Sequence, residues 1–179
     1  MNEDRKVAAL FVRRDSIYKT MPGVDCYDID RDARTFPGGM PIVAHPPCRT
    51  WGKYSHRAKA PEGEHELALW AVEQVCKWGG VLEHPIGSAL KSHLPYIREY
   101  GKWSQLYYLN QGWFQHLALK PTMIYIVSKE PIFLVKELIE AEYSCHITRW
   151  RKCENLSHKQ REETPIKFAE FLVSIARQC

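Results

Sequence analysis

Two residues that can do chemistry each stand directly after a short apolar run of this chain. Cys48 closes the segment His45-Pro46-Pro47-Cys48, and Glu83 opens the segment Glu83-His84-Pro85. A thiolate is a strong nucleophile, and a nearby carboxylate can accept a hydrogen bond or a proton. A thiol and an acid in one site indicate covalent chemistry on an electrophilic ring or carbonyl.

Both residues lie where the sequence predicts that a buried strand ends. Ile42-Val43-Ala44 precedes the first segment, and Val81-Leu82 precedes the second. Proline cannot donate a backbone hydrogen bond to a sheet, so the prolines mark loops rather than continued strands. Open α/β sheets bind ligands at the carboxyl ends of their strands. We therefore expect the thiol and the carboxylate to face one cleft, with His45 and His84 at its edge.

The remaining apolar runs predict the elements that hold these loops. Further strands are expected to end at Val12 and Asp28 and to cover Leu106 to Leu109 and Met123 to Val127. Helical periodicity runs from Glu62 to Trp78 and from Thr164 to Arg177, with Thr164 as N-cap and Pro165 at the first helical position. Alternating strands and helices favour a parallel α/β sheet over an all-β fold or a helix bundle. With no internal repeat or linker, residues 1–179 are predicted to form one domain.

Composition narrows the compartment and the class of partner. Of the 179 residues, 45% are hydrophobic and 26% are charged, which is ordinary for a globular domain. No apolar run approaches the roughly 20 residues that span a membrane. The charged N-terminus does not resemble a signal peptide, so we expect a cytoplasmic protein without a membrane partner. The six cysteines form no C-x-x-C pair and are expected to be reduced, and a net charge of +4 is compatible with a polyanionic partner.

The Pro-Pro-Cys and Glu-His-Pro motifs together resemble the catalytic motifs of cytosine-C5 DNA methyltransferases, which carry a Pro-Cys loop and a Glu-Asn-Val loop. The chain is more closely similar to small phage-type proteins related to those enzymes. The segments that carry the resemblance are 43–52, 79–85, 120–125 and 164–169. The resemblance implies a Rossmann-like, methyltransferase-like fold with a mainly parallel sheet flanked by helices. It also implies S-adenosylmethionine as cofactor and nucleic acid or a nucleotide as partner.

The resemblance further implies roles for individual residues. Cys48 would add to C6 of the cytosine, which activates C5, and Glu83 would hold the N3–N4 edge of the base. Arg49, the nearest cation in sequence, would help to keep the thiol ionised. The residues expected around the substrate are His45, Arg49, Trp51, His84 and Lys120. Those expected around the cofactor are Phe11, Asp28 and Asp30.

Departures from the family pattern keep a second interpretation open. The loop from Arg13 to Tyr18 has no glycine to allow close approach of a cofactor. The Gln-x-Arg element of the family has no clean equivalent, although Gln115-His116 and Lys120 stand in its region. The residues between the Ile124 strand and Arg161 are too few for a target-recognition domain. The alternative is a non-catalytic module, such as a phage counter-defence protein, that binds nucleic acid or a protein partner without the cofactor.

Aromatic and basic residues raise further possibilities. Trp51 and Tyr54, in a basic loop after the cysteine, are candidates for stacking on a base. Residues 149–161 are rich in cations and form either a phosphate-binding arm or a solvated basic loop. The histidines and the cysteine near the two loops could hold zinc, but scattered histidines more often serve as caps and hydrogen-bond donors. No metal ligand is assigned.

Overall fold

One mixed sheet organises the residues that the computed structural model describes, which are 5–52, 55–145, 151–152 and 155–179. Within these residues the strands are β1 (Val7–Leu10), β2 (Val24–Tyr27), β3 (Ile42–Ala44), β4 (Gly80–Pro85), β5 (Arg98–Glu99), β6 (Lys102–Asn110) and β7 (Pro121–Ser128). Their order across the sheet is β2-β1-β3-β4-β7-β6-β5. The α-helices are α1 (Glu64–Trp78), α2 (Val135–Tyr143), α3 (His158–Glu162) and α4 (Ile166–Gln178). Short 3-10 helices cover Ile17–Thr20, Ala33–Thr35, Ser55–Arg57, Ala89–His93 and Gln111–Phe114.

The two halves of the sheet differ in strand direction. β2, β1, β3 and β4 are parallel, whereas β7, β6 and the two-residue β5 form an antiparallel half. The fold is therefore α/β as predicted, but the prediction of a mainly parallel sheet is wrong. Parallel neighbours need a crossover of a dozen or more residues, and only residues 111–120 connect β6 to β7. A connection this short, without an α-helix, makes the two strands antiparallel.

Two apolar layers hold the sheet between helices. On one face, alternate strand residues pack in a cluster with α4: Val7, Ala9, Val43, Val81, Ile124 and Ile126. On the other face, the intervening residues pack in a cluster with α1: Ala8, Leu10, Ile42, Leu82, Tyr125 and Val127. This alternation is the two-residue period of strands that are buried on both faces. Because the period continues to the end of β4, Glu83 lies on the α4 side and His84 on the α1 side.

A glycine sets the close contact between β3 and β4. Gly80 has a φ of +126°, and a Cβ atom on it would collide with the backbone of Ile42. Glycine alone suits this position, because it has no side chain and tolerates positive φ. The Gly79-Gly80 pair after α1 therefore also brings together the two strands whose ends present the thiol and the carboxylate.

β4 continues to Pro85 rather than ending at Leu82, because its last three residues pair with β7. Glu83, His84 and Pro85 therefore belong to the strand and not to a loop.

Two further boundary differences have a common cause. β1 ends at Leu10 rather than Val12, because Phe11 has a φ of +60° and turns the chain out of the sheet. α1 begins after Gly63, which is in the left-handed conformation, rather than at Glu62. In both cases a positive φ, which the apolar periodicity does not reveal, decides where the element stops or starts.

The N-terminus of α4 corrects another prediction. Pro165, and not Thr164, is the N-cap, and Ile166 is the first helical residue. Pro165 has a φ of −60° and a ψ of 147°, which is extended, and its carbonyl oxygen accepts from the N–H of Ala169. The ring of proline restricts φ but leaves ψ open, so the sequence does not distinguish the cap from the first helical position.

The described residues contain no helix that is long and apolar enough to cross a membrane. Their cysteines are unpaired: Cys26, Cys48, Cys76, Cys145 and Cys179. The sixth cysteine, Cys153, lies outside the described residues.

Candidate active site

A cleft opens at the carboxyl ends of β1, β3 and β4. Its volume is about 720 Å³, within the usual range of pockets for small molecules. Cys48 and Glu83 both line it, and so do His45 and His84. The four motif residues meet because β3 and β4 are paired, parallel neighbours whose carboxyl ends lie at the same edge of the sheet. Their chemical roles stay predictions.

Three side chains from different elements hold Glu83. His45 Nδ1 lies 3.0 Å from Oε2, and Gln111 Nε2 donates to Oε1 over 3.0 Å. The Thr122 hydroxyl makes a close contact with the same Oε1 and also lies 2.9 Å from the carbonyl oxygen of His84. A hydroxyl has a single hydrogen, and we assign it to the carboxylate because an ionised acceptor forms the stronger bond.

These partners favour the ionised form of Glu83. Its side chain is 12% exposed, and burial on its own disfavours a charge. Burial is outweighed by the hydrogen bonds from His45 and Thr122 and by the positive charge of Lys120, which together lower the pKa of Glu83 to about 2. At neutral pH the cleft therefore contains a carboxylate that accepts hydrogen bonds and does not donate one.

A buried tyrosine continues the network behind His45. The Tyr18 hydroxyl lies 2.9 Å from His45 Nε2, and Tyr18 is fully buried. Burial and the charge of Glu83 raise the pKa of Tyr18 well above its ordinary value, so the hydroxyl keeps its proton and can donate it to Nε2. This favours the tautomer in which Nδ1 carries the hydrogen that is directed at Glu83.

Cys48 lies on the exposed side of the cleft. Although the residue as a whole is exposed, burial at its thiol and the negative charge of Glu83 raise the pKa of Cys48, and the charge of Lys120 opposes this shift only in part. Arg49, which the sequence predicts to ionise the thiol, forms an ion pair of 2.9 Å with the buried Glu64 instead. The thiol is therefore mostly neutral at pH 7, and a higher pH increases the nucleophilic form.

Charged side chains of both signs surround the mouth of the cleft. The basic ones are Arg13, Arg49, Lys120, His158, Lys159 and Arg161, and the acids other than Glu83 are Asp15, Glu162 and Glu163. Arg13 pairs with Asp15 at 2.9 Å and with Glu162 at 3.1 Å, and Lys159 pairs with Asp15 at 2.9 Å. Lys120 instead donates to a backbone carbonyl oxygen over 3.4 Å. An anionic ligand would thus reach Lys120 without breaking an ion pair of the described residues.

His84 is almost completely buried in the wall of the cleft. It is 1% exposed, and neither ring nitrogen forms a hydrogen bond of acceptable geometry within the described residues. Burial lowers the pKa of His84, against the opposing influence of the Glu83 charge and the Pro47 backbone. The ring is therefore neutral at pH 7, and the charges of the site come from its neighbours.

Trp51 lies in the core, which differs from its predicted place against the substrate. It is 3% exposed and is not part of the cleft lining. Its ring stacks on His65 at a centroid distance of 3.9 Å and meets His93 edge-on at 5.3 Å, and its Nε1 donates to the carbonyl oxygen of His65. A ring covered in this way fastens the loop after Cys48 to α1 and does not present a face to a base. Tyr54, the other stacking candidate, lies outside the described residues.

The acidic residues expected around the cofactor are engaged elsewhere. Asp28 is not part of the cleft lining, and its oxygens accept from the Lys19 ammonium at 2.5 Å and from the N–H groups of Asp30 and Arg31 at 2.9 and 3.1 Å. These partners, Lys19 first, lower the pKa of Asp28 to about 2. Asp30 is exposed and forms an ion pair with Arg14. Neither carboxylate is placed to hold the ribose of S-adenosylmethionine.

Phe11, the third residue expected around the cofactor, does line the cleft. Its ring meets Trp70 of α1 edge-to-face at a centroid distance of 6.0 Å. The position has the positive φ that suits a glycine turn, but it carries a large side chain where close backbone approach is needed. Together with the engaged aspartates, this arrangement does not fit S-adenosylmethionine.

Part of the basic stretch 149–161 reaches the cleft. His158, Lys159 and Arg161 of α3 line it, whereas Arg149 lies outside the described residues. In the part of the chain that the structure describes, no group of three or more His, Cys, Asp or Glu side chains is arranged to hold a metal ion. Arg151 and Lys152, which are also described, are not part of the cleft lining, so only the α3 portion of the stretch belongs to this cleft.

Sequence analysis does not identify three members of the Glu83 network: Tyr18, Gln111 and Thr122. Thr122 has one sequence signal, because it is a polar residue immediately before the apolar run of β7, which pairs with β4. Tyr18 and Gln111 lie in short 3-10 helices whose local sequence does not indicate what they contact. Their partners are distant in the chain, so only the packed fold reveals them.

The chain matches no known protein family, and no curated protein shows significant similarity to it. The resemblance to cytosine-C5 methyltransferases therefore stays a prediction from the quoted motifs.

Proposed function

We propose that this protein binds a pyrimidine nucleotide, free or within nucleic acid, and adds the Cys48 thiol to C6 of the base. The observation that carries the proposal is that Cys48 and Glu83 line one cleft at the ends of adjacent parallel strands. Glu83 supplies an oriented acceptor for the edge of the base, and Lys120 supplies a cation for the phosphate. We propose that the domain that carries this site is Rossmann-like and methyltransferase-like, with an antiparallel half formed by β7, β6 and β5.

The addition has a simple balance of protons and electrons. The thiol gives its proton to solvent, and the thiolate forms a bond to C6 while the electrons of the C5=C6 double bond move towards C5. C5 then takes a proton from water. In the reverse direction C5 loses a proton, the double bond forms again and the thiolate leaves.

The net result is exchange of the C5 hydrogen with solvent, and this exchange needs no further reactant. Methyl transfer to C5 is a separate step that requires a methyl donor. The residues predicted to hold that donor do not fit it, so exchange is the reaction that the residues of this chain support.

The state of the thiol sets the pH dependence of this reaction. Because burial and Glu83 raise the pKa of Cys48, the thiolate is a minor species at pH 7. Each pH unit below that pKa changes the thiolate fraction roughly tenfold. Exchange should therefore become faster as the pH rises from 7 to 9.

The test is proton NMR of dUMP, dCMP and a pyrimidine-rich single-stranded oligonucleotide, each incubated with the protein in D₂O. We expect the C5 proton signal to disappear with the wild type and to persist with Cys48→Ser. Cys26→Ser is the matched control, because Cys26 also has a pKa raised by burial, to about 11, but is not part of the cleft lining. A wild type that binds nucleotide without exchange would contradict the proposed chemistry.

A second function, binding without chemistry, is favoured by the engaged Asp28 carboxylate and the mostly neutral Cys48 thiol. Such a module would hold a nucleotide, single-stranded nucleic acid or a protein partner through the same fold. For single strands, the logarithm of the binding constant falls with the logarithm of the salt concentration, with a slope of roughly −0.7 for each phosphate contact. Salt-sensitive binding with no C5 exchange at any pH would support this alternative.

A further inference from the structure

Within the proposed function, on which this inference rests, we infer that the cleft selects a uracil-type base over cytosine. A uracil-type ring presents one ring N–H between two carbonyl groups. Cytosine, by contrast, presents an amino group beside an unprotonated ring nitrogen at neutral pH. The selecting group is Glu83, and the reason is the number of acceptor positions that its partners leave open.

A carboxylate has about four acceptor positions, two on each oxygen. Gln111 and Thr122 occupy both positions of Oε1, and His45 occupies one position of Oε2. Gln111 is 1% exposed and Thr122 is fully buried, so the surrounding packing holds both side chains against Oε1. The Thr122 oxygen covers its side of Oε1 whichever acceptor its hydrogen serves. One acceptor position therefore remains for a ligand, and it is on Oε2.

His45, the protein donor to Oε2, is also held in one orientation. The Tyr18 hydroxyl contacts His45 Nε2 at 2.9 Å, which directs the Nδ1 hydrogen to Glu83. His45 therefore acts as a positioning residue, since it sets which part of Oε2 faces the cleft. The open position accepts a single hydrogen and cannot donate one.

The single open acceptor position on Glu83 fits a uracil-type base better than it fits cytosine. The N3–H of a uracil-type ring is a single donor and fits a single acceptor position. Contact with both N3 and the amino group of cytosine requires a proton on N3 and two acceptor positions, but Oε1 is already filled. If cytosine uses its amino group alone, the N3 lone pair lies beside the carboxylate and is repelled, which weakens binding.

The first test is calorimetric titration of the wild type with dUMP and dCMP, a pair whose bases differ at C4 and N3. At pH 7.5 we expect dUMP to bind roughly 10- to 100-fold more tightly, the usual effect of one hydrogen bond to a charged group. Binding of dCMP should strengthen as the pH is lowered towards protonation of N3, while binding of dUMP should not. Equal affinities, or tighter binding of dCMP at pH 7.5, would overturn this inference and leave the proposed function standing. Failure of both nucleotides to bind would overturn the proposed function as well.

The second test is the Glu83→Gln substitution. The donors Gln111 and Thr122 require an oxygen opposite them, so the new amide nitrogen should occupy the Oε2 side. One of its hydrogens then faces His45 Nδ1, which accepts it when the ring carries its own hydrogen on Nε2 and donates that hydrogen to the Tyr18 oxygen, and the other hydrogen is donated into the cleft. That hydrogen suits the unprotonated N3 of cytosine, and we expect the preference to invert towards dCMP. Glu66→Gln, on the exposed side of α1, is the matched control and should keep the preference for dUMP.

A folded Glu83→Gln protein that still prefers dUMP would overturn the inference. Circular dichroism and thermal unfolding establish whether the variant folds. If it does not fold, the dUMP-to-dCMP ratio of the wild type and its pH dependence still decide the question.

Discussion

Glu83 and Asp28 are both carboxylates at the ends of parallel strands, yet only Glu83 faces the cleft. Asp28 accepts from the ammonium group of Lys19 and from two backbone N–H groups, and it does not line the cleft. Glu83 is held by three side chains and keeps one acceptor position. Their partners keep both acids ionised, with pKa values of about 2. Both acids accept three hydrogen bonds, so it is their position relative to the cleft, and not the number of their partners, that distinguishes them.

The largest difference between Glu83 and Asp28 is expected in dUMP binding when each carboxylate is removed. We expect Glu83→Ala to weaken dUMP binding by roughly 10- to 100-fold, because a ligand hydrogen bond to a charged group is lost. Asp28→Ala should leave the dissociation constant within about twofold, since Asp28 is not part of the cleft lining. Calorimetric titration of both folded variants measures the two effects. Equal weakening by the two substitutions would remove the distinction between an acid that lines the cleft and one that does not.

Lowering the pH should reduce the unfolding free energy through both carboxylates, Asp28 and Glu83. Their folded-state pKa values lie below the ordinary 3.8 of Asp28 and 4.5 of Glu83, so the stabilisation is complete above those ordinary values and is lost as the pH falls towards about 2. Over this range we expect the wild type to lose up to about 2 kcal/mol of unfolding free energy through Asp28 and up to about 3 kcal/mol through Glu83. Asp28→Asn and Glu83→Gln should each lose less between pH 5 and pH 2, measured by urea denaturation. If the unfolding free energy of the variants had the same pH dependence as that of the wild type, the hydrogen-bond partners assigned to Asp28 and Glu83 would be contradicted.

The smallest effect is expected from the residue behind His45. Tyr18→Phe removes the hydroxyl that orients the ring, and we expect dUMP binding to weaken about threefold as the hydrogen bond to Glu83 loses its alignment. Tyr107→Phe is the matched control, because Tyr107 donates to the carbonyl oxygen of Ile132 at 2.7 Å away from the cleft. Both variants should lose about 1 kcal/mol of stability, but only the first should change binding. An identical change in binding would show that Tyr18 acts through stability alone.

The prediction of the site succeeded where local rules determine geometry. Proline and glycine interrupt apolar runs over a few residues, so the end of β3 at Ala44 could be located from the sequence. β4 instead continues past Leu82 to Pro85, because it pairs with β7. Ligand sites lie at the carboxyl ends of parallel strands, and this rule alone places Cys48 and Glu83 in one cleft. The helical periodicity of α1 and α4 was equally visible, since it repeats over several turns.

The prediction was wrong or incomplete where distant contacts decide. The sheet is mixed because β6 and β7 are joined by a short connection, and an apolar run carries no signal of strand direction. Trp51 follows a basic loop and looks exposed in sequence, but His65 and His93 cover it. Aromatic residues have both an apolar face and a polar edge, so their sequence context does not distinguish core from surface.

The sequence by itself determined that a thiol and an acid lie near the carboxyl ends of two buried strands of an α/β protein, because apolar runs and helical faces follow from short-range patterns. Only the tertiary structure decided which acceptor positions of that acid remain open. The partners of Glu83 lie 28 to 39 residues away along the chain. Hydrogen bonds between residues so far apart form only when the packed strands bring them together, and no local pattern of residue types specifies them.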